Sequence, residues 1–137
     1  MEQASVLLVD EHPALRQGLR ELLHQTPGIR SVEEASSLGE ALEAVDHAPP
    51  DLIVLDGGFL GHSPGDVTAA LRDGAPSASL IVLCALKPQD DRIAWFSDSV
   101  DIGVDRHHLA QDLGLAVVLC LGLPGLRTER ALRIGVS

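Results

Sequence analysis

Aromatic residues make up only 2% of this 137-residue chain: two Phe, one Trp and no Tyr. Such a chain lacks the rings that stack a flavin, and its core must be built from Leu, Val, Ile and Ala. Basic residues are also scarce, ten against twenty acidic, for a formal net charge of −10. Phosphate contacts need a basic face, so this chain is not expected to grip nucleic acid by itself. Its two cysteines, Cys84 and Cys120, sit inside apolar runs without metal-ligand spacing. Buried free thiols are expected in place of a disulfide or a zinc site. No stretch reaches the roughly 18 apolar residues of a membrane span, and no basic segment leads into an apolar one at the N-terminus. A soluble cytoplasmic protein is expected, with no membrane partner.

What is present is enough for one folded domain, with 45% apolar residues at a length that buries a single core. Strand signals fall at Ser5–Val9, Arg30–Ala35, Leu52–Leu55, Leu80–Leu83 and Ile102–Val104. The first, third and fourth are apolar without polar alternation, as in strands covered on both faces. Those three should be central. Helix signals fill the gaps. Pro13 suits a first helical turn, and Leu15, Leu19, Leu22 and Leu23 share a face before Pro27-Gly28 stops the helix. Ser37 with Glu40 forms a capping box that opens a helix through Val45. Further helices are expected over Gly65–Arg72, Gln89–Ser97 and His108–Leu121. Strands alternating with helices predict an α/β fold with a parallel sheet.

In such a sheet, ligands bind beyond the carboxyl ends of the strands. The first strand delivers Asp10 and Glu11 to that rim, and the third delivers Asp56. Three carboxyl groups meeting there would make a divalent-cation site, with one carboxylate free for phosphorylation.

The segment VLLVDEHP from Val6 to Pro13, followed by ALRQGLRELL from Ala14 to Leu23, resembles the start of a response-regulator receiver domain of the NarL/FixJ branch. DLIVLD from Asp51 to Asp56 resembles the phosphoacceptor strand, and GDVTAALR from Gly65 to Arg72 the helix after it. The resemblance runs from about Ser5 to Leu121. It implies a doubly wound, five-stranded parallel sheet in the order 2-1-3-4-5, flanked by five helices as in flavodoxin and CheY. Residues 1–123 would form the receiver domain, and residues 124–137 a tail or a linker to an output domain outside this chain.

The same resemblance implies the chemistry. Asp56 would be the phosphoacceptor, and Mg²⁺ would be held by Asp10, Glu11, Asp56 and the backbone carbonyl of Gly58, hard oxygen ligands that suit this ion. The phosphoryl group would come from a sensor histidine kinase or a small phosphodonor. Such a domain is not an enzyme beyond its own phosphorylation and dephosphorylation.

Departures from the family pattern concentrate around the phosphoryl group. Cys84 stands where Thr or Ser usually donates a hydroxyl, and a thiol is a weak donor. It is followed by the expected small residue, Ala85. Arg106 stands at the usual Lys position; it keeps the charge but is longer and fork-shaped. Gly103 stands where an aromatic residue normally turns inward. The only lysine, Lys87, lies just beyond Cys84 and could supply the missing ammonium. Leu60 replaces a usual Pro, after the permissive pair Gly57-Gly58. Of the six histidines, His12 falls beside the acidic pair, where it is expected to cap the first helix, and His107-His108 read as a solvated pair.

From Leu113 to Leu126 no side chain carries charge or a strong hydrogen-bonding group apart from the Cys120 thiol. A last helix of this kind leaves apolar surface exposed, so Leu113, Leu115, Val117, Val118 and Leu121 are candidates for a homodimer or output-domain interface. DNA binding would come only through an output domain, for which too few residues follow Pro124.

The leading expectation is therefore the receiver of an atypical two-component transcriptional regulator. Its alternative is a pseudo-receiver that works without phosphorylation, by constitutive dimerisation or by binding a small ligand. A dehalogenase-type phosphatase would need a second Asp at position 58, where Gly58 stands, and a flavodoxin-like carrier is opposed by Asp10-Glu11-His12.

Overall fold

The computed structural model describes residues 3–56, 64–84, 101–105, 109–122 and 132–134. The sheet contains β1 (Ala4–Val9), β2 (Ile29–Ala35), β3 (Leu52–Asp56), β4 (Ser79–Cys84), β5 (Ile102–Asp105) and β6 (Leu132–Ile134). The helices are α1 (Pro13–His24), α2 (Leu38–His47), α3 (Pro64–Gly74) and α4 (Leu109–Gly122). The helix expected over Gln89–Ser97 lies outside the described residues.

All pairings are parallel, in the order β2-β1-β3-β4-β5-β6. The predicted five-strand order is thus observed, and β6 extends it. Residues 132–134, expected in a tail or linker, pair with Ile102–Val104 along the outer edge of β5.

The apolar runs have a direct physical consequence. Alternate residues point to opposite faces of a strand, so a strand covered on both sides must be apolar throughout. Leu7, Val9, Ile53, Leu55, Leu80 and Val82 pack with Ala41 and Val45 of α2 and Val67 and Leu71 of α3. Their neighbours Val6, Leu8, Leu52, Val54, Ile81 and Leu83 pack with Leu19 and Leu23 of α1 and Leu113, Ala116 and Val117 of α4. The edge strand β2 buries Val32 and Ala35 and exposes Glu33 and Glu34.

The turns follow from local chemistry. The Ser37 hydroxyl caps α2 by accepting from the Glu40 amide at 3.1 Å, and the Glu40 carboxylate accepts from the Ser36 amide at 3.1 Å. Hydrogen bonds from the Ser36 hydroxyl and, second, from its amide hold the Glu40 carboxyl below the usual glutamate range. Gly28, at φ +93°, takes a conformation that L side chains rarely adopt, and the Leu121 side chain of α4 closes over it.

The amino end of the sheet is tied by two aspartates. Asp51 Oδ2 accepts from the Ser5 amide at 2.9 Å and from the Ser5 hydroxyl at 3.2 Å, joining β1 to the start of β3. Asp101, just before β5, accepts from the Leu80 amide at 2.8 Å and from Arg72 Nη2 of α3 at 2.9 Å. Arg72 also donates to the carbonyls of Pro76 and Ala78. The result fastens α3, the turn after it and the beginnings of β4 and β5.

Candidate functional site at the carboxyl rim

Register brings the rim acids together. Val9 pairs with Leu55, so Asp10, the residue after β1, falls next to Asp56 at the end of β3. Asp56 is itself in register with Leu83, one residue before Cys84, and Cys84 with Asp105 at the end of β5. The backbone thus carries Asp10, Asp56 and Cys84 to one rim, as expected.

Asp10 is fully buried and Asp56 is 3% exposed. One carboxylate oxygen of each, with a ring nitrogen of His12, forms a group within 4.8 Å of one another. Two like charges at that separation repel by on the order of 3 kcal/mol in an effective dielectric near 20. Burial, and next the Asp56 charge, raise the Asp10 carboxyl above the usual aspartate range, partly offset by the His12 amide hydrogen bond. Asp10 Oδ1 accepts from that amide at 2.9 Å, while Oδ2 is buried with no hydrogen-bond partner among the described residues. A buried carboxylate oxygen left in this state is costly unless something positive reaches it. The orphaned oxygen and the hard donors of Asp10 and Asp56 fit a divalent cation.

The rim is held by α1. Arg16 Nη1 donates to the Asp10 carbonyl at 2.8 Å and its Nε to Glu34 Oε1 at 3.0 Å, while Arg20 also pairs with Glu34. The first two turns of α1 are thereby clamped across the edge strand, with the Asp10 backbone inside the clamp.

Several expectations are modified here. Glu11 is exposed and is not among the converging ligand atoms, which belong to Asp10, His12 and Asp56. His12 stands at the N-cap position of α1, but its side chain makes no capping hydrogen bond. Its ring is instead beside Asp10, with Nδ1 at 3.4 Å from Oδ1. Gly103 is buried in β5 between Val82 and Arg133, without a side chain to turn. Gly58, Ala85, Lys87 and Arg106 lie outside the described residues, as do Gly57, Leu60, His107 and His108.

The apolar stretch of α4 divides into two faces. Leu113 and Val117 are buried against the sheet and are not available to a partner, whereas Leu115, Val118 and Leu121 are 49%, 53% and 37% exposed. Val118 also lines a groove of about 280 Å³ with Leu22, Thr26 and Pro27. Cys120 is buried and free, and burial pushes its thiol up to about 12 despite a hydrogen bond with Ser79. No helix among the described residues is long and apolar enough to cross a membrane.

Residues 6–105 match the response regulator receiver domain. The chain is 34% identical over 104 residues to the nitrate/nitrite response regulator protein NarP of Escherichia coli (strain K12), covering 76% of this chain and 46% of that protein. Identity to NarL of the same strain is 31% over 100 residues, covering 73% of this chain and 46% of that one. A solved two-component response regulator of the LuxR family from Aurantimonas sp. SI85-9A1 aligns with a TM-score of 0.77 at 25% identity, over 88% of this chain and 87% of the other. The chain spans about half the length of the curated relatives it matches.

Proposed function

Because the chain belongs to the response regulator receiver domain family, we propose that it receives its signal as a phosphoryl group on Asp56. The observation that carries this reading is the buried pair Asp10 and Asp56, with an Asp10 oxygen unsatisfied among the described residues. A carboxylate oxygen of Asp56 forms the new bond to phosphorus as the bond to the donor breaks, the donor being a phosphohistidine of a sensor kinase or an acyl phosphate. Mg²⁺ at the rim would neutralise the charge that accumulates there. Asp10 and Asp56 supply its side-chain oxygens, Glu11 adds charge at the exposed rim, and the Gly58 carbonyl completes the protein ligands.

Conversion of phosphate into output departs from the family pattern in this reading. Cys84 offers a weak donor to the phosphoryl group, Arg106 or Lys87 supplies the cation, and Ala85 leaves room beside them. Gly103 has no ring to move, so a hydroxyl-to-aromatic relay cannot run through it. Output passes instead through the exposed face of α4, where Leu115, Val118 and Leu121 meet a second copy or an output domain that binds DNA. This is the cytoplasmic, signal-receiving part of a transcriptional regulator.

Intact-mass measurement after incubation with Mg²⁺ and acetyl phosphate tests the proposal. Wild type should gain one phosphoryl group and Asp56→Asn none. Wild type that stays unmodified would favour the phosphorylation-independent pseudo-receiver, a reading supported by Gly103. The α4 face is checked by light scattering: Val118→Lys should shift a dimer to monomer, and a monomeric wild type at all concentrations would refute it.

A further inference from the structure

We infer that His12 is a direct ligand of the rim cation and gives the site a His12-dependent affinity for divalent transition ions, Mn²⁺ and Zn²⁺, above its affinity for Mg²⁺. The inference rests on the reading of Asp10 and Asp56 as the cation-holding pair and adds a nitrogen donor to their oxygens.

Four observations converge on His12. Its ring nitrogen lies with oxygens of Asp10 and Asp56 inside a 4.8 Å group, the spacing of donors around one ion. The fully buried Asp10 carboxylate also carries an oxygen, Oδ2, with no hydrogen-bond partner among the described residues. The imidazole is not occupied by helix capping, although its residue stands at the N-cap. Finally, Glu11, the acid expected to complete the set, is exposed and outside the group.

The backbone fixes where the ring can go. The His12 amide is held by Asp10 Oδ1 at 2.9 Å, and its carbonyl accepts from the Arg16 amide at 2.9 Å. An extended conformation at φ −97° and ψ 108° separates the two contacts, and Pro13 at the start of α1 limits the next residue. Only the side-chain torsions remain free. The side chain is 62% exposed, so the ring is accessible to an ion arriving from solvent.

Two carboxylates and one imidazole form a borderline donor set. Imidazole contributes little to Mg²⁺, which prefers oxygen and keeps much of its water, but it adds affinity for Mn²⁺ and more for Zn²⁺. Asp10, Asp56 and His12 leave positions on a six-coordinate ion for the Gly58 carbonyl, water or a phosphoryl oxygen.

The test is calorimetric titration of the full chain with Zn²⁺, Mn²⁺ and Mg²⁺ separately, in wild type, His12→Ala and Asp10→Asn. His12→Ala should weaken Zn²⁺ and Mn²⁺ by about tenfold or more and leave Mg²⁺ within about twofold. Asp10→Asn should weaken all three. Zn²⁺ and Mn²⁺ binding unchanged in His12→Ala, with Mg²⁺ still bound, overturns the role of His12 and leaves the Mg²⁺ reading intact. Failure of all three ions to bind wild type overturns both. Zn²⁺ binding that persists in Asp10→Asn identifies other histidines as its ligands and also refutes the inference. An independent readout is the nitrogen modulation in pulsed electron paramagnetic resonance of bound Mn²⁺, expected in wild type and absent in His12→Ala. Its absence in wild type contradicts direct ligation.

Discussion

The two ends of the parallel sheet use the same residue type in opposite ways. At the amino end, Asp51 and Asp101 accept from backbone amides, and Asp101 is paired with Arg72. At the carboxyl end, Asp10 and Asp56 are buried side by side, with the exposed His12 ring beside Asp10. The first arrangement satisfies its charge internally and fastens elements together. The second brings two acids together and keeps an Asp10 oxygen without a hydrogen-bond partner among the described residues, and is therefore suited to an ion from outside. The contrast matters because burial alone would have marked Asp10, Asp56 and Asp101 alike.

The largest expected effect comes from breaking the satisfied end. Asp101→Ala removes the carboxylate that neutralises Arg72 and accepts from the Leu80 amide, and should lower stability by about 3–5 kcal/mol in urea unfolding. A loss under about 1 kcal/mol would show that the Arg72 clamp is dispensable.

At the other end the same kind of substitution should act in the opposite direction. The Asp10 carboxyl is raised in the folded state, so the folded protein binds that proton more tightly than the unfolded chain. Its contribution is fully present below the ordinary value of 3.8 and is lost as pH rises through the raised folded value. Cation-free stability should therefore fall over that interval in wild type, and Asp10→Asn should flatten this part of the pH profile. An unchanged profile in the mutant would show that Asp10 is not the group responsible.

The smallest effect concerns Cys120, which lies within reach of the Asp101 charge at the amino end. With its thiol pushed up to about 12, it holds almost no thiolate at pH 8 and should resist iodoacetamide in the native protein. Peptide mapping that finds rapid native-state alkylation at Cys120 would contradict that packing.

Much of this contrast was legible in the sequence at one end only. The runs ending at Asp10 and Asp56 announced their strands because a doubly covered strand must be apolar, and the acids that follow had to fall at the rim. The partnership of Asp101 with Arg72 joins residues far apart in sequence, and no local pattern signals it. His12 was visible as a neighbour of the acids, but its ring direction depends on the Asp10 hydrogen bond and not on composition. In α4 a continuous apolar stretch hid which face turns inward: Leu113 and Val117 meet the sheet while Leu115 and Val118 do not. A charged outer face would have marked the difference. The sixth strand was missed because three residues on a sheet edge are chosen by the edge they join.

The most direct test of the difference between the two ends is urea unfolding at neutral pH and constant ionic strength, with increasing MgCl₂, for wild type and Asp10→Asn. A cation that binds only the folded rim adds stability that grows with the logarithm of its concentration above the dissociation constant. The midpoint should rise with Mg²⁺ in wild type and stay level in Asp10→Asn. Equal responses in the two proteins, or none in wild type, would contradict the assignment of the carboxyl rim as the cation site.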